Sequence, residues 1–227
     1  MMDFGSGFAR IGSDDSFMKR TLSIGIFLFS ISFSSLIALA QAPPALDIFT
    51  SPDDTFQFLY SPTYELLVGD RMLRATQGRH LGIPVCDFST ALACVIYPIE
   101  IADDPRFEAA GFSVNVVPGV TAETECLTYA DQLARSPGEP QQLSSIVINE
   151  RQFRHATVRK TLSGHSQAAD FYRTFLKQKC YELRIAVSLS EESAAQRPSP
   201  LDSPENARAY GARESLKLIL SSFSFKQ

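Results

Sequence analysis

The groups in this chain with the chemistry to act on a substrate are few: three histidines (His80, His155 and His165), four cysteines, and paired carboxylates at Asp53-Asp54 and Asp103-Asp104. An imidazole serves either as the general base beside a nucleophile or as a metal ligand. A serine hydrolase wants its nucleophile on a strained Gly-x-Ser-x-Gly turn, and Gly111-Phe-Ser-Val-Asn115 lacks the second glycine, so it reads as a plain strand start. His155 alternates with Phe153 and Thr157, the pattern of a hydrogen-bonded histidine on one face of a strand. His165 belongs to Ser163-Gly164-His165-Ser166, a turn in which a solvated ring is expected. A metal site would require His155 and His165 to converge with a carboxylate such as Asp170 or Glu182. The acid pairs read as turn residues without a placement for acid–base work. No catalytic residue, cofactor site or metal ligand is therefore assigned, and the leading expectation is non-enzymatic.

Cations supply another candidate. Arg151, Arg154, Arg159, Lys160, Arg173, Lys177, Lys179 and Arg184 make residues 151–189 locally basic, interleaved with Phe153, Phe171, Tyr172 and Tyr181. Aromatics plus cations on a sheet suit single-stranded nucleic acid, but a net charge of −4 and the export signal described below exclude that partner. Solvated strand edges that resist aggregation explain the run. If Arg154, His155, Arg173 and Arg184 form a working patch, its partner is an acidic protein or an anionic envelope component.

The cysteines read as disulfides. Cys86, Cys94, Cys126 and Cys180 form no Cys-x-x-Cys and have no zinc-like spacing, and an even count in an oxidising compartment implies two bridges out of three possible connectivities. A turn centred on Thr90 would set Cys86 opposite Cys94 across a hairpin, which leaves Cys126 for Cys180. Chain entropy values the short loop at about 2.5 kcal/mol and the long one at about 4 kcal/mol.

The elements that must position these groups follow from periodicity. Thr55–Tyr60 alternates as a strand closed by Ser61-Pro62, Tyr64–Val68 continues as a second, and Arg71–Gly82 reads as loop with a helical turn. Ala91–Tyr97 and Phe112–Val117 are strands separated by the Asp103-Asp104-Pro105 turn. A helix begins at Thr121 with Glu123 and Glu125 in its first turn, and Cys126, Tyr129, Ala130 and Leu133 share one face. Arg135–Pro140 is loop, and an antiparallel meander follows: Ser145–Asn149, Phe153–Thr161, Ala169–Leu176 and Cys180–Leu189. In its last strand Tyr181, Leu183, Ile185, Val187 and Leu189 share one face and Cys180, Glu182, Arg184, Ala186 and Ser188 the other; one face is core, and the other is partly wet or under a helix. Glu191–Pro204 is a Ser/Ala/Pro-rich loop, and a closing helix near Asn206–Ser222 docks Leu216, Ile219, Leu220 and Phe223 on the sheet.

Upstream, Met18-Lys19-Arg20 precedes an uncharged apolar run, Thr21–Ala40, that ends Ala38-Leu39-Ala40. This is the layout of a secretory signal peptide over residues 18–40. Residues 1–17 read as a non-native or disordered extension, 41–48 as a spacer, and 49–227 as a single α+β domain. The mature chain of about 187 residues suits one domain. The protein is thus expected to be secreted or periplasmic, with no stable membrane span after cleavage. The alternative is an uncleaved signal that anchors it, since the run approaches the ~20 residues that span a bilayer.

The opening Phe49-Thr-Ser-Pro-Asp-Asp-Thr-Phe-Gln-Phe-Leu-Tyr-Ser-Pro62, the mid-chain helix, the hairpin meander and the helix running into Ser221-Ser-Phe-Ser-Phe225 resemble the PsbP-like fold family. The likeness spans Phe49–Phe225 in outline, with Tyr64 standing where such proteins often carry a Trp; this chain has none. The resemblance implies an α+β fold, an antiparallel meander-rich sheet with helices packed on its faces in a PsbP-like αβα arrangement, and binding or assembly rather than catalysis. The expected function is an exported bacterial binding or assembly module. A hydrolase or metal-dependent enzyme with a site in 151–189, and a structural envelope protein, are the alternatives.

Overall fold

The structure, a computed structural model, describes residues 45–71, 85–87, 89–102, 106–134, 143–162, 165–190 and 207–226. The signal segment 18–40, His80, the Asp103-Asp104-Pro105 turn, the 135–140 loop and the 191–204 loop lie outside them. Contacts divide the chain after Ala42, and every described residue belongs to the second unit.

Two antiparallel sheets carry the described chain. Strands β1 (Asp47–Thr50), β2 (Phe56–Tyr60) and β10 (Ser224–Phe225) form the smaller, with β2 in the middle. The larger has the order β3-β4-β5-β9-β8-β7-β6, comprising β3 (Glu65–Leu67), β4 (Ala91–Ile96), β5 (Phe107–Val116), β6 (Leu143–Ile148), β7 (Arg151–Leu162), β8 (His165–Leu176) and β9 (Lys179–Ser190). Among the described residues three helices accompany them: α1 (Ile99–Ala102), α2 (Glu123–Ala134) and α3 (Ala207–Ser222).

Two-residue turns set the meander's register. Asn149 and Glu150 have φ of 43° and 67°, and Lys177 and Gln178 have φ of 49° and 60°. Left-handed pairs of this kind match the twist of the strands they join. The first turn is also tied down, because Asn149 Nδ2 donates to the carbonyls of Ser221 (3.0 Å) and Phe223 (2.7 Å) at the end of α3.

Alternation along the strands gives the sheet two faces. On one, Phe112, Val114, Phe153, Leu183, Ile185 and Val187 pack with Leu216, Ile219 and Phe223 of the α3 region and with Phe56 and Phe58 of the small sheet. Each fully buried apolar side chain here stabilises the fold by roughly 2 kcal/mol. Phe225 completes this layer, its ring centroid 4.9 Å from that of Tyr181 and 5.0 Å from that of Phe223. The other face holds Cys86, Cys94, Ala109, Phe171 and Ala186 and carries α2 across β7 and β8. Cys126 on α2 is bonded to Cys180, with Cα atoms 5.5 Å apart. The alternate residues of β9 are therefore buried instead of wet: Glu182, Arg184 and Ser188 are all under 9% exposed.

Cys86 is bonded to Cys94, with Cα atoms 6.1 Å apart, but not across a hairpin. Cys94 lies inside β4, opposite Leu67 of β3 and Ser113 of β5, whereas Cys86 occupies a bend outside the sheet. The turn at Thr90, with its N–H donating to Asp87 O, leads from that bend into β4. The strand at Phe112 starts earlier, at Phe107, and α1 is a short helix that alternation does not reveal.

Candidate functional site

A polar relay runs beneath α3. His155 of β7 stacks on Tyr172 of β8, with centroids 4.6 Å apart and planes at 12°. Its Nδ1 lies 3.0 Å from Ser144 Oγ on β6, and its Nε2 lies 3.3 Å from Asp170 Oδ1 on β8. Thr157 Oγ1 donates to the same carboxylate at 2.7 Å, and Arg213 of α3 donates to both its oxygens at 2.8 and 2.9 Å. Burial alone would raise the Asp170 carboxyl, but the His155 bond, the Arg213 charge and the Thr157 hydroxyl outweigh it and bring it down to about 2. Burial, with the Asp170 charge beside it, pushes the Tyr172 hydroxyl up.

With the Nε2 proton directed at Asp170, Nδ1 is free to accept the Ser144 hydroxyl proton. That is the polarity of a general base beside a serine. The carboxylate end is shared with Arg213, so much of its charge is already neutralised, which fits a clamp holding α3 on the sheet.

The expected arginine patch divides between faces. Arg154 stands directly opposite Arg173, while His155 points to the other side with Tyr172. Arg173 and Arg184 are buried and share Glu182: Arg173 Nε donates to Oε2 at 2.7 Å, its Nη2 bonds the same oxygen, and Arg184 Nη2 donates to Oε1 at 2.7 Å. Arg184 also sits 5.0 Å from the centroid of the Phe171 ring. These two arginines are interior groups rather than solvated edge charges, and Phe153, Tyr172 and Tyr181 are buried as well.

His165 is part of β8 rather than of a turn. Its Nδ1 lies 2.6 Å from Glu108 Oε1, and Ser188 Oγ donates to Glu108 Oε2 at 2.7 Å. His155 pairs at Tyr172, seven positions along β8 from His165, so the two histidines are separated by about 23 Å and do not converge. Among the described residues no three His, Cys, Asp or Glu side chains gather to hold a metal. Ser113 lies buried inside β5 and accepts from Asn115 Nδ2 at 3.0 Å.

Arg154 does border an open groove of about 390 Å³ between α2 and strands β6 to β8. Gln152 and Arg154 from β7, Ser145 from β6 and Phe175 from β8 line its floor, with Glu123 and Thr128 on the helix side. The lining combines hydrogen-bonding groups, one cation, one anion and an aromatic ring.

Ser144, Arg213 and Gln152 went unrecognised in the sequence. Placing the Asn149-Glu150 turn would have found the first, because that turn alone sets Ser144 opposite His155. Arg213 has no such signal, since its partner is 43 residues away.

No protein-family model and no curated protein matches this chain. Solved structures do. Cyanobacterial PsbP is among them. The protein from Synechocystis aligns over 82% of this chain and 96% of its own, with a TM-score of 0.41 and 11% identity. LpqN, described as involved in cell envelope biogenesis of Mycobacterium tuberculosis, aligns over 83% of this chain and 88% of its own, at a TM-score of 0.44 and 9% identity. A Bacteroides thetaiotaomicron protein aligns over 79% of this chain at a TM-score of 0.44 and 10% identity, and the chain spans 48% of that protein's length. The neighbours thus include the family that the sequence resembles, and none carries a function across to this chain. Among the described residues no helix is long and apolar enough to cross a membrane.

Proposed function

We propose that this chain is an exported, non-enzymatic binding or assembly module that engages its partner at the groove between α2 and β6–β8. The observation that carries this reading is the groove itself, an open polar cleft with Arg154 on its floor and Phe175 beside it. Its partner is a protein or an anionic envelope component that meets Arg154 and hydrogen-bonds to Gln152 and Ser145. Two disulfides support an oxidising compartment, and the 18–40 segment is the export signal in this proposal. The test is capture from the cell-envelope extract by the wild type and by two variants, Arg154→Glu and Thr128→Trp. A saturable partner retained by the wild type and lost from both variants is the expected result. Equal retention by all three removes the groove from the reading.

A second reading rests on the Ser144–His155–Asp170 relay, in which Ser144 would be a nucleophile activated by His155. A fluorophosphonate probe separates the two. Labelling of the wild type that disappears in Ser144→Ala establishes the hydrolase, and an unlabelled wild type leaves the relay as the clamp on α3.

A further inference from the structure

The seven-stranded sheet ends in two unlike edges. β3 is three residues long and carries Glu65, whereas β6 runs six residues, Leu143–Ile148, with no charge, no proline and no register break against β7. Natural sheets blunt long edges with charge, proline or bulges, because bare backbone N–H and C=O groups template another strand. β6 has none of these devices.

The hairpin turn determines which groups are offered. In a two-residue turn the flanking pair, here Ile148 and Arg151, is hydrogen-bonded, so Ile148, Ile146 and Ser144 direct their backbone groups to β7. Leu143, Ser145 and Val147 direct theirs outward. The same three residues carry the exposed side chains, with Leu143 38% and Val147 69% accessible.

We propose that β6 pairs antiparallel with β6 of a second copy of this chain, about a two-fold axis at Ser145. In that register Ser145 faces Ser145, and Leu143 of each copy faces Val147 of the other. Every outward backbone group then meets its complement, and every exposed apolar side chain gains an apolar cross-strand neighbour. A shift of the axis by one residue toward Ile146 sets Val147 against Ser145 and Leu143 against the turn, so the Ser145 register uses the strand best. Charge complementarity agrees, because the strand brings no charge to an axis where any charge would meet its own image. The pairing continues the sheet, sets the two α2 helices on one face and gathers four apolar side chains between them. One strand pair buries less than the roughly 1,200 Å² at which stable interfaces begin, so the dimer is reversible.

Sedimentation equilibrium of the full chain reads the proposal directly. The weight-average mass is expected to rise with concentration from the monomer value toward twice that value, and Val147→Lys, an exposed change, is expected to hold it at monomer. Register is read by cysteine cross-linking. Ser145→Cys places two sulfurs across a hydrogen-bonded pair, whose ~5.5 Å Cα separation suits a disulfide, and is expected to form a covalent dimer, whereas Leu143→Cys stays monomeric. A wild-type mass independent of concentration together with an uncross-linked Ser145→Cys overturns the proposal. So does a dimer that survives Val147→Lys, equal cross-linking of Leu143→Cys, or a monomer that captures a heterologous peptide through this edge.

Discussion

Arg213 of α3 holds Asp170 of β8 by both carboxylate oxygens, Nε to Oδ2 at 2.8 Å and Nη2 to Oδ1 at 2.9 Å. The pair links a helix to a strand 43 residues earlier in the chain, at a carboxylate only 1% exposed. Thr157 and His155 occupy the rest of Asp170, so its desolvation is offset by four separate donors.

Removing the guanidinium leaves a buried carboxylate short of its countercharge. Arg213→Ala is expected to lower stability by about 3 kcal/mol, read as the urea midpoint at constant slope. A loss below ~0.5 kcal/mol would put the pair in the class of solvated surface bridges.

Acid should dissolve the same contact. The Asp170 pKa is depressed to about 2 from 3.8, so this carboxylate contributes stability that is complete above the unfolded value and is lost as pH falls through the folded one. The shift corresponds to about 2 kcal/mol, and the loss falls between about pH 4 and about pH 2. In urea titrations across this window, the gap between the wild type and Asp170→Asn should narrow as the pH drops. A gap that stays constant with pH contradicts the linkage.

The meander, the closing helix and the apolar face of β9 were legible because alternation and helical spacing report burial directly. Leu183, Ile185 and Val187 lie in the core as that spacing predicts. What escaped depends on partners distant in sequence. His165 looked like a turn residue because Gly164 precedes it, yet Glu108, 57 positions earlier, supplies its hydrogen bond in a strand. Arg173 and Arg184 looked like solvated edge charges because arginine is seldom buried. Their burial is accompanied by Glu182, which stands two residues from Arg184 on one face of β9 and meets Arg173 only through the register of β8 on β9. The groove had no sequence signal, since its walls come from α2 and three strands.

Gly111 offers a test of close packing on the second face. A Cβ built there would stand 2.5 Å from Val85 Cγ1 and 2.8 Å from the Val95 carbonyl oxygen. The side chain can rotate, but the carbonyl is part of β4 and cannot. Gly111→Ala is expected to cost about 2 kcal/mol, with faster hydrogen exchange across the β4–β5 ladder. Unchanged exchange there would mean that β4 accommodates the methyl without moving.

Glu182 joins the two buried arginines of the second face. One carboxylate hydrogen-bonds two buried guanidinium groups, Arg173 and Arg184, so neutralising it removes a countercharge from both at once. Burial raises the Asp87 carboxyl, but its Ser89 hydrogen bonds and the Arg184 charge outweigh that and depress it, so Arg184 also feels this second carboxylate. Glu182→Gln keeps shape and volume and removes only charge, so its cost reports electrostatics instead of packing. A loss of about 4 kcal/mol is expected. Arg184→Met should cost less, because it leaves Arg173 and Glu182 as a matched pair and retains an apolar stem over Phe171. If urea unfolding finds Arg184→Met the more damaging of the two, the cluster is held by the stacking of Arg184 on Phe171 and not by the shared carboxylate.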